Sequence, residues 1–363
     1  MTTKSRMTKL RTAFVLSMVL LMSFAAMSAM GSFAQSESSK VVAALTGETA
    51  AQSTAKVPTT TTALDIPVLV YHEMNNGCKS TATICNASDP ESVSATQFTA
   101  EMSYMAAQGY HTVSLAQYEA WLAKPSTQLP AKPFLITVDN GIGDFLTGAQ
   151  STLAHYGFTA TAFLVTGFAQ AAAGNCAPLL TVAGISYHVQ PGCPADNTGW
   201  DLTWSQLASL SSSVYSFALE AGASGHYVQT YDGTACQMFD ACMIPGETAS
   251  AYETRVVNEL NTGESELAAK LPGRVNSTAW VVPYSDLGYQ PCTQSGCTPQ
   301  ASNGPAGWLS AYAGSRFTAV FVEDAFRNGT QNDRFRYDIK GQMTLSDFTS
   351  QLQSFVTAGS FNH

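Results

Sequence analysis

Short apolar runs alternate with helical patterns from Ile66 to the C-terminus, and this alternation restricts the fold more than any other feature of the chain. Ile66-Pro-Val-Leu-Val-Tyr71 reads as a buried strand. Ser94-Ala-Thr-Gln97 has the form of a capping box, Phe98, Met102 and Met105 recur at helical spacing, and Gly109 ends that helix. Phe134 to Val138 is a second strand, Asp144 to His155 a helix and Ala160 to Val165 a third strand. Thr203-Trp-Ser-Gln206 opens a further helix, and Tyr215 to Glu220 is a strand. Glu247 to Lys270 reads as a long helix broken near Gly263. Strands at Thr278 to Val282 and Thr318 to Val322 follow, and Thr344-Leu-Ser-Asp347 caps the last helix. Repeated βα units with apolar strands predict a mainly parallel sheet covered by helices, which can close into a barrel. No internal repeat is evident. In such a barrel the loops at the strand C-terminal ends converge on one rim and carry the chemistry. The sequence puts His72, Asp139 with Asn140, Glu220, and Tyr284 with Asp286 at those ends.

The segment before Ile66 has a different character. Residues 1–34 contain Lys4, Arg6, Lys9 and Arg11 and no acid, then an apolar stretch from Ala13 to about Met30, then Ser32-Phe33-Ala34 as a small-x-small cleavage site. This reads as a secretory signal, with an uncleaved membrane anchor as the alternative, so the folded part is expected to be secreted or extracytoplasmic. Residues 35–64 are rich in Ser, Thr and Ala and read as a flexible tether, with a transient helix around Val41 to Leu45. The domain proper is expected over 65–358. Removing the signal takes Lys plus Arg from 17 to 13 against 26 Asp plus Glu, a net charge of −13 with no basic stripe. Nucleic acid is excluded as a partner on that ground, and a membrane contact is expected only through an uncleaved signal.

The eight cysteines fall into four close pairs: Cys78 with Cys85, Cys176 with Cys193, Cys236 with Cys242, and Cys292 with Cys297. In an exported chain this spacing reads as four local disulfides that shape surface loops. A zinc site is the competing reading, but no C-x-x-C occurs.

Several of these segments, in this order, resemble the polysaccharide deacetylases (NodB homology, carbohydrate esterase family 4). The likeness is closest to the branch that acts on poly-N-acetylglucosamine. Val68-Leu-Val-Tyr-His72 is similar to that branch's opening strand, and Phe98 through Leu115 to its following helix and strand. Leu135 through Gly167 is similar to its central signature. The resemblance covers residues 65 to 355 and implies a distorted (β/α) barrel of the NodB type. It also implies metal-assisted amide hydrolysis, in which one Asp and two His hold a divalent, zinc-like metal while another Asp acts as base and a His as acid.

The family's T-F-D-D-G signature appears here as Thr137-Val-Asp-Asn-Gly141. By resemblance Asp139 keeps the base position, and Asn140 stands where the metal carboxylate belongs. The segment that carries the two ligand histidines matches Gln229-Thr-Tyr-Asp-Gly-Thr234, so Gln229 and Thr234 stand at those positions. A second register after Glu220-Ala-Gly222 puts Ser224 and Val228 there instead, with His226 nearby. His72 matches the position of the general acid. Pro283-Tyr284-Ser-Asp286 resembles the substrate-groove segment, and Arg334-Phe-Arg336 a late arginine strand. Amide and hydroxyl groups in place of a carboxylate and imidazoles hold a zinc-like ion poorly, so no catalytic cofactor is expected at the usual place.

On local grounds alone, His72 reads first as a loop histidine, and Asp139 reads equally as turn chemistry. Trp200, Trp204, Trp280, Trp308 and Tyr284 read as core residues, though one exposed in the groove would suit a sugar ring. Three functions follow for a protein directed at an N-acetylated extracellular or cell-wall polysaccharide. The first is a metal-free glycan-binding relative of the enzyme. The second is an active hydrolase with rearranged ligands recruiting His226, Asp232 or Glu220, and the third is a structural exoprotein.

Overall fold

The computed structural model describes residues 66–75, 79, 81–85, 90–173, 180–182, 185–187, 202–222, 247–282, 308–322, 333–334 and 336–358. The expected signal, tether and transient helix therefore lie outside the described residues, as do all the cysteines except Cys85. Cys85 is disulfide-bonded; the four expected pairings remain sequence readings. Among the described residues no helix is long and apolar enough to cross a membrane.

In chain order the elements are β1 (Val68–Tyr71), β2 (Glu73–Met74), β3 (Ser92–Val93), α1 (Ala95–Ala107), β4 (His111–Thr112), α2 (Leu115–Ala123) and β5 (Pro133–Val138). Next come α3 (Gly143–Tyr156), β6 (Ala160–Val165), α4 (Thr166–Ala172), β7 (Leu180–Val182), β8 (Ile185–Tyr187), α5 (Trp204–Ser209) and β9 (Tyr215–Ala221). The chain closes with α6 (Ala249–Lys270), β10 (Val275–Val282), α7 (Trp308–Arg316), β11 (Ala319–Val322), β12 (Asp333–Arg334), β13 (Tyr337–Asp338) and α8 (Leu345–Ala358).

The main sheet runs β12-β11-β10-β9-β6-β5-β1-β13, with β4 also paired to β5. Every pairing in it is parallel. Helices connect its strands, in keeping with the (β/α) barrel expected from the sequence. β1, β5, β6 and β11 are buried at every position, which explains why their sequences are continuous apolar runs and not alternating ones. Alternate strand residues point to opposite faces. Leu69, Tyr71, Ile136, Val138, Phe217 and Leu219 share a core with Phe98 of α1 and Leu153 of α3. Val68, Leu135, Phe163, Ala218 and Phe321 pack instead with Tyr118 and Trp121 of α2.

Helix starts follow the caps that the sequence offers. Thr203 and Gln206 close a full capping box, and Thr344 and Asp347 exchange reciprocal bonds at the start of α8. Ser94 accepts from the Gln97 N–H, but the Gln97 side chain donates to Glu101 Oε1 and to the Lys340 carbonyl, so only half of that box forms. The expected break near Gly263 is a correction: α6 runs unbroken from Ala249 to Lys270. Gly263 is there for close approach, since a Cβ would lie 2.7 Å from Leu219 Cδ1 and 3.2 Å from Gly222 Cα. Trp280 is fully buried, whereas Trp204 and Trp308 are half-buried.

Candidate active site

Because the sheet is parallel, the C-terminal ends of its strands share one edge. His72 follows β1 and Asp139 follows β5, and these strands are neighbours. The Asp139 N–H donates to the Tyr71 carbonyl at 2.9 Å, extending the ladder one residue past β5. That bond sets the two candidate side chains beside each other, with His72 Nε2 3.9 Å from Asp139 Oδ2. Both are buried, at 7% and 3% exposure. The separation exceeds a direct hydrogen bond, and a polar group could bond both atoms only from one side of the line that joins them.

Arg336, fully buried, grips the other side of Asp139 through two parallel bonds, Nη1 to Oδ1 at 2.5 Å and Nη2 to Oδ2 at 2.6 Å. The guanidinium is itself fixed by the Val322 carbonyl and the Thr137 hydroxyl. Such a bidentate pair holds the carboxylate in one plane and compensates its charge. Each carboxylate oxygen still has a second lone pair with which to accept a proton or a hydrogen bond.

Behind His72, Nδ1 lies 3.3 Å from Glu91 Oε2. Lys340 bridges Glu91 and Asp338. Burial alone would lower the Lys340 pKa, but the Asp338 and Glu91 carboxylates hold it above its ordinary value. Burial pushes the Asp338 carboxyl up, with Glu91 adding to the effect and His72 and Lys340 opposing it. His72, Glu91 and Asp338 are the one group of His, Cys, Asp or Glu among the described residues whose ligand atoms converge, within 4.8 Å. The Lys340 ammonium already contacts both carboxylates of that group, which is the part a cation would play. Glu91, Asp338 and Lys340 were not singled out from the sequence.

Asn140 and Gly141 both take the left-handed conformation, at φ 61° and 72°. Asn tolerates that region better than most residues, and a Cβ on Gly141 would lie 2.2 Å from Leu164 Cδ2. The turn aims Asn140 at Glu220, near the end of β9. The Asn140 N–H donates to Glu220 Oε2 at 2.5 Å, and its side-chain Nδ2 donates to Oε1 at 2.8 Å. Glu220 is 1% exposed, and Trp280 Nε1 donates to its carbonyl at 2.7 Å. Beside this pair a small recess opens between Gly141, Leu164, Phe168, Leu202 and Trp204.

His72, Asp139, Asn140 and Glu220 are thus described at the strand ends, with His72 beside Asp139 and Asn140 bonded to Glu220. Gln229, Thr234, His226, Asp232, Tyr284 and Asp286 lie outside the described residues. The side chain of Arg334 does too.

No protein-family model and no curated protein matches this sequence. Solved structures do. A de-N-acetylase from Aggregatibacter actinomycetemcomitans superposes with a TM-score of 0.55 at 16% identity, over 78% of this chain and 98% of that one. The fold is that of the polysaccharide deacetylases. The BpsB deacetylase domain from Bordetella bronchiseptica has a TM-score of 0.48 at 17% identity, over 76% of this chain and 96% of its own. IcaB from Ammonifex degensii has a TM-score of 0.47 at 16% identity, over 82% and 97%.

The polysaccharide deacetylase resemblance implies a divalent metal, and position 140 does not fit one. An amide nitrogen is a donor, and the one at position 140 is spent on Glu220, which leaves only a neutral carbonyl oxygen where a zinc-like ion would take a carboxylate. Each Glu220 oxygen already accepts one bond from Asn140, which ties that carboxylate to residue 140.

Proposed function

We propose that this protein is a secreted, metal-free glycan-binding relative of the polysaccharide deacetylases, directed at an N-acetylated extracellular or cell-wall polysaccharide. The bidentate Asn140–Glu220 contact carries the reading, because it puts N–H donors where the enzymes would need a metal carboxylate. The fold likeness to a de-N-acetylase supports the substrate class. The recess beside Asn140 is apolar on several sides and suits a group the size of a methyl. His72 and Asp139 are close enough to bond one polar group of the sugar together from one side.

A second reading, residual hydrolysis, is favoured by one observation: the His72–Asp139 pair persists and Asp139 is oriented by Arg336. Equilibrium binding of N-acetylglucosamine oligomers, with acetate followed in the same samples, separates the two. The proposal expects binding that weakens for fully deacetylated oligomers and no acetate. Acetate release abolished by a chelator would contradict it, and absence of any glycan affinity would leave a structural exoprotein.

A further inference from the structure

A carboxylate at position 140 would face Glu220 across the 2.8 Å now spanned by the Nδ2–Oε1 bond. Two ionised carboxylates at that distance in a buried site repel strongly unless a cation or a proton lies between them. We propose that Asn140 and Glu220 together replace the cation: the amide supplies the positive hydrogens, and Glu220 is the positioning residue that fixes Asn140 and the Asp139–Gly141 turn. This rests on the metal-free reading and adds to it a named partner for the substituted ligand.

Three features support the assignment. Both donors on residue 140, backbone and side chain, converge on the two oxygens of one carboxylate, so the contact is specific to an acid at 220. The backbone of Glu220 is anchored from the next strand by Trp280, so β9 and β10 both hold the pair. Asn140 is one of three described non-glycine residues with positive φ, and the clamp holds it in that unfavourable conformation.

The pairing is reciprocal, which makes it testable by exchange. In the double variant, Asn140→Asp with Glu220→Gln, the amide moved to β9 can donate to the carboxylate moved to the turn, while the amide oxygen accepts the residue-140 N–H. Thermal unfolding in chelator is measured for the parent, Asn140→Asp, Glu220→Gln and the double variant, then repeated with cobalt(II). Asn140→Asp is expected to lose roughly 5–10 °C in chelator and to recover when cobalt is added. The double variant is expected to regain most of the loss without metal and to respond little to cobalt. Residues that did not interact would give losses that add, with no recovery on exchange, and a contact with no part in charge balance would leave Asn140→Asp unresponsive to cobalt. Additive losses, or an Asn140→Asp chain as stable as the parent in chelator, would overturn the clamp. If Asn140→Asp does not fold, a folded double variant supports the proposal and an unfolded one overturns it. Cobalt bound near one ion per parent chain would instead contradict the metal-free reading, so the two failures are told apart.

Discussion

Replacing Glu101 by Gln should remove a pH dependence of folding that the core builds in. Glu101 on α1 is buried at 1% exposure and accepts from the Tyr71 hydroxyl at 2.8 Å and from Gln97 Nε2 at 2.9 Å. Burial raises its pKa from 4.5 to about 7, and the two hydrogen bonds only partly oppose this. Between these values the folded chain keeps a proton that the unfolded chain has lost. Stability from this group is therefore full below about pH 4.5, falls as pH rises to about 7, and is flat above. The difference is worth about 3 kcal/mol, since each pKa step equals roughly 1.4 kcal/mol. Urea unfolding of the parent and of Glu101→Gln from about pH 4.5 to about pH 8 isolates the effect, because every other titrating group is common to both. The parent should lose about 3 kcal/mol more than the variant across that window, with unchanged m values. Parallel curves would refute the reasoning. Tyr71 precedes His72, so the same buried network supports the strand that presents the site.

Other perturbations have distinct signatures. Arg336→Met should lower stability by about 3–5 kcal/mol in denaturant titrations, because it leaves the Asp139 carboxylate buried without its partner. Gly263→Ala should destabilise by about 1–3 kcal/mol despite the better helix propensity of Ala, since its Cβ meets Leu219 at 2.7 Å; a stabilised variant would restore the idea of a helix break there. Asn140→Asp with Gln229→His and Thr234→His should bind zinc or cobalt and release acetate from N-acetylglucosamine oligomers; a folded triple variant that takes no metal would show that the Gln229 to Thr234 register is wrong.

The strands were legible in the sequence because β1, β5, β6 and β11 are buried on both faces, which leaves an unmistakable apolar run. Their parallel order then brought His72 and Asp139 to one edge. The supposed break in α6 failed for a tertiary reason: Gly263 makes room for Leu219 and Gly222, and nothing in its own helix signals that packing. The cluster of Glu91 with Asp338 and Lys340 was invisible because Glu91 lies far along the chain from the other two and meets them only after folding. The Asn140–Glu220 contact was hidden for the same reason, although both residues stood at strand ends in the sequence.

Metal content tests the central claim most directly. Elemental analysis of protein purified without added metal, followed by equilibrium dialysis against zinc, should find far less than one transition-metal ion per chain. A near-stoichiometric ion that chelation removes, together with acetate release from N-acetylglucosamine oligomers, would contradict the account.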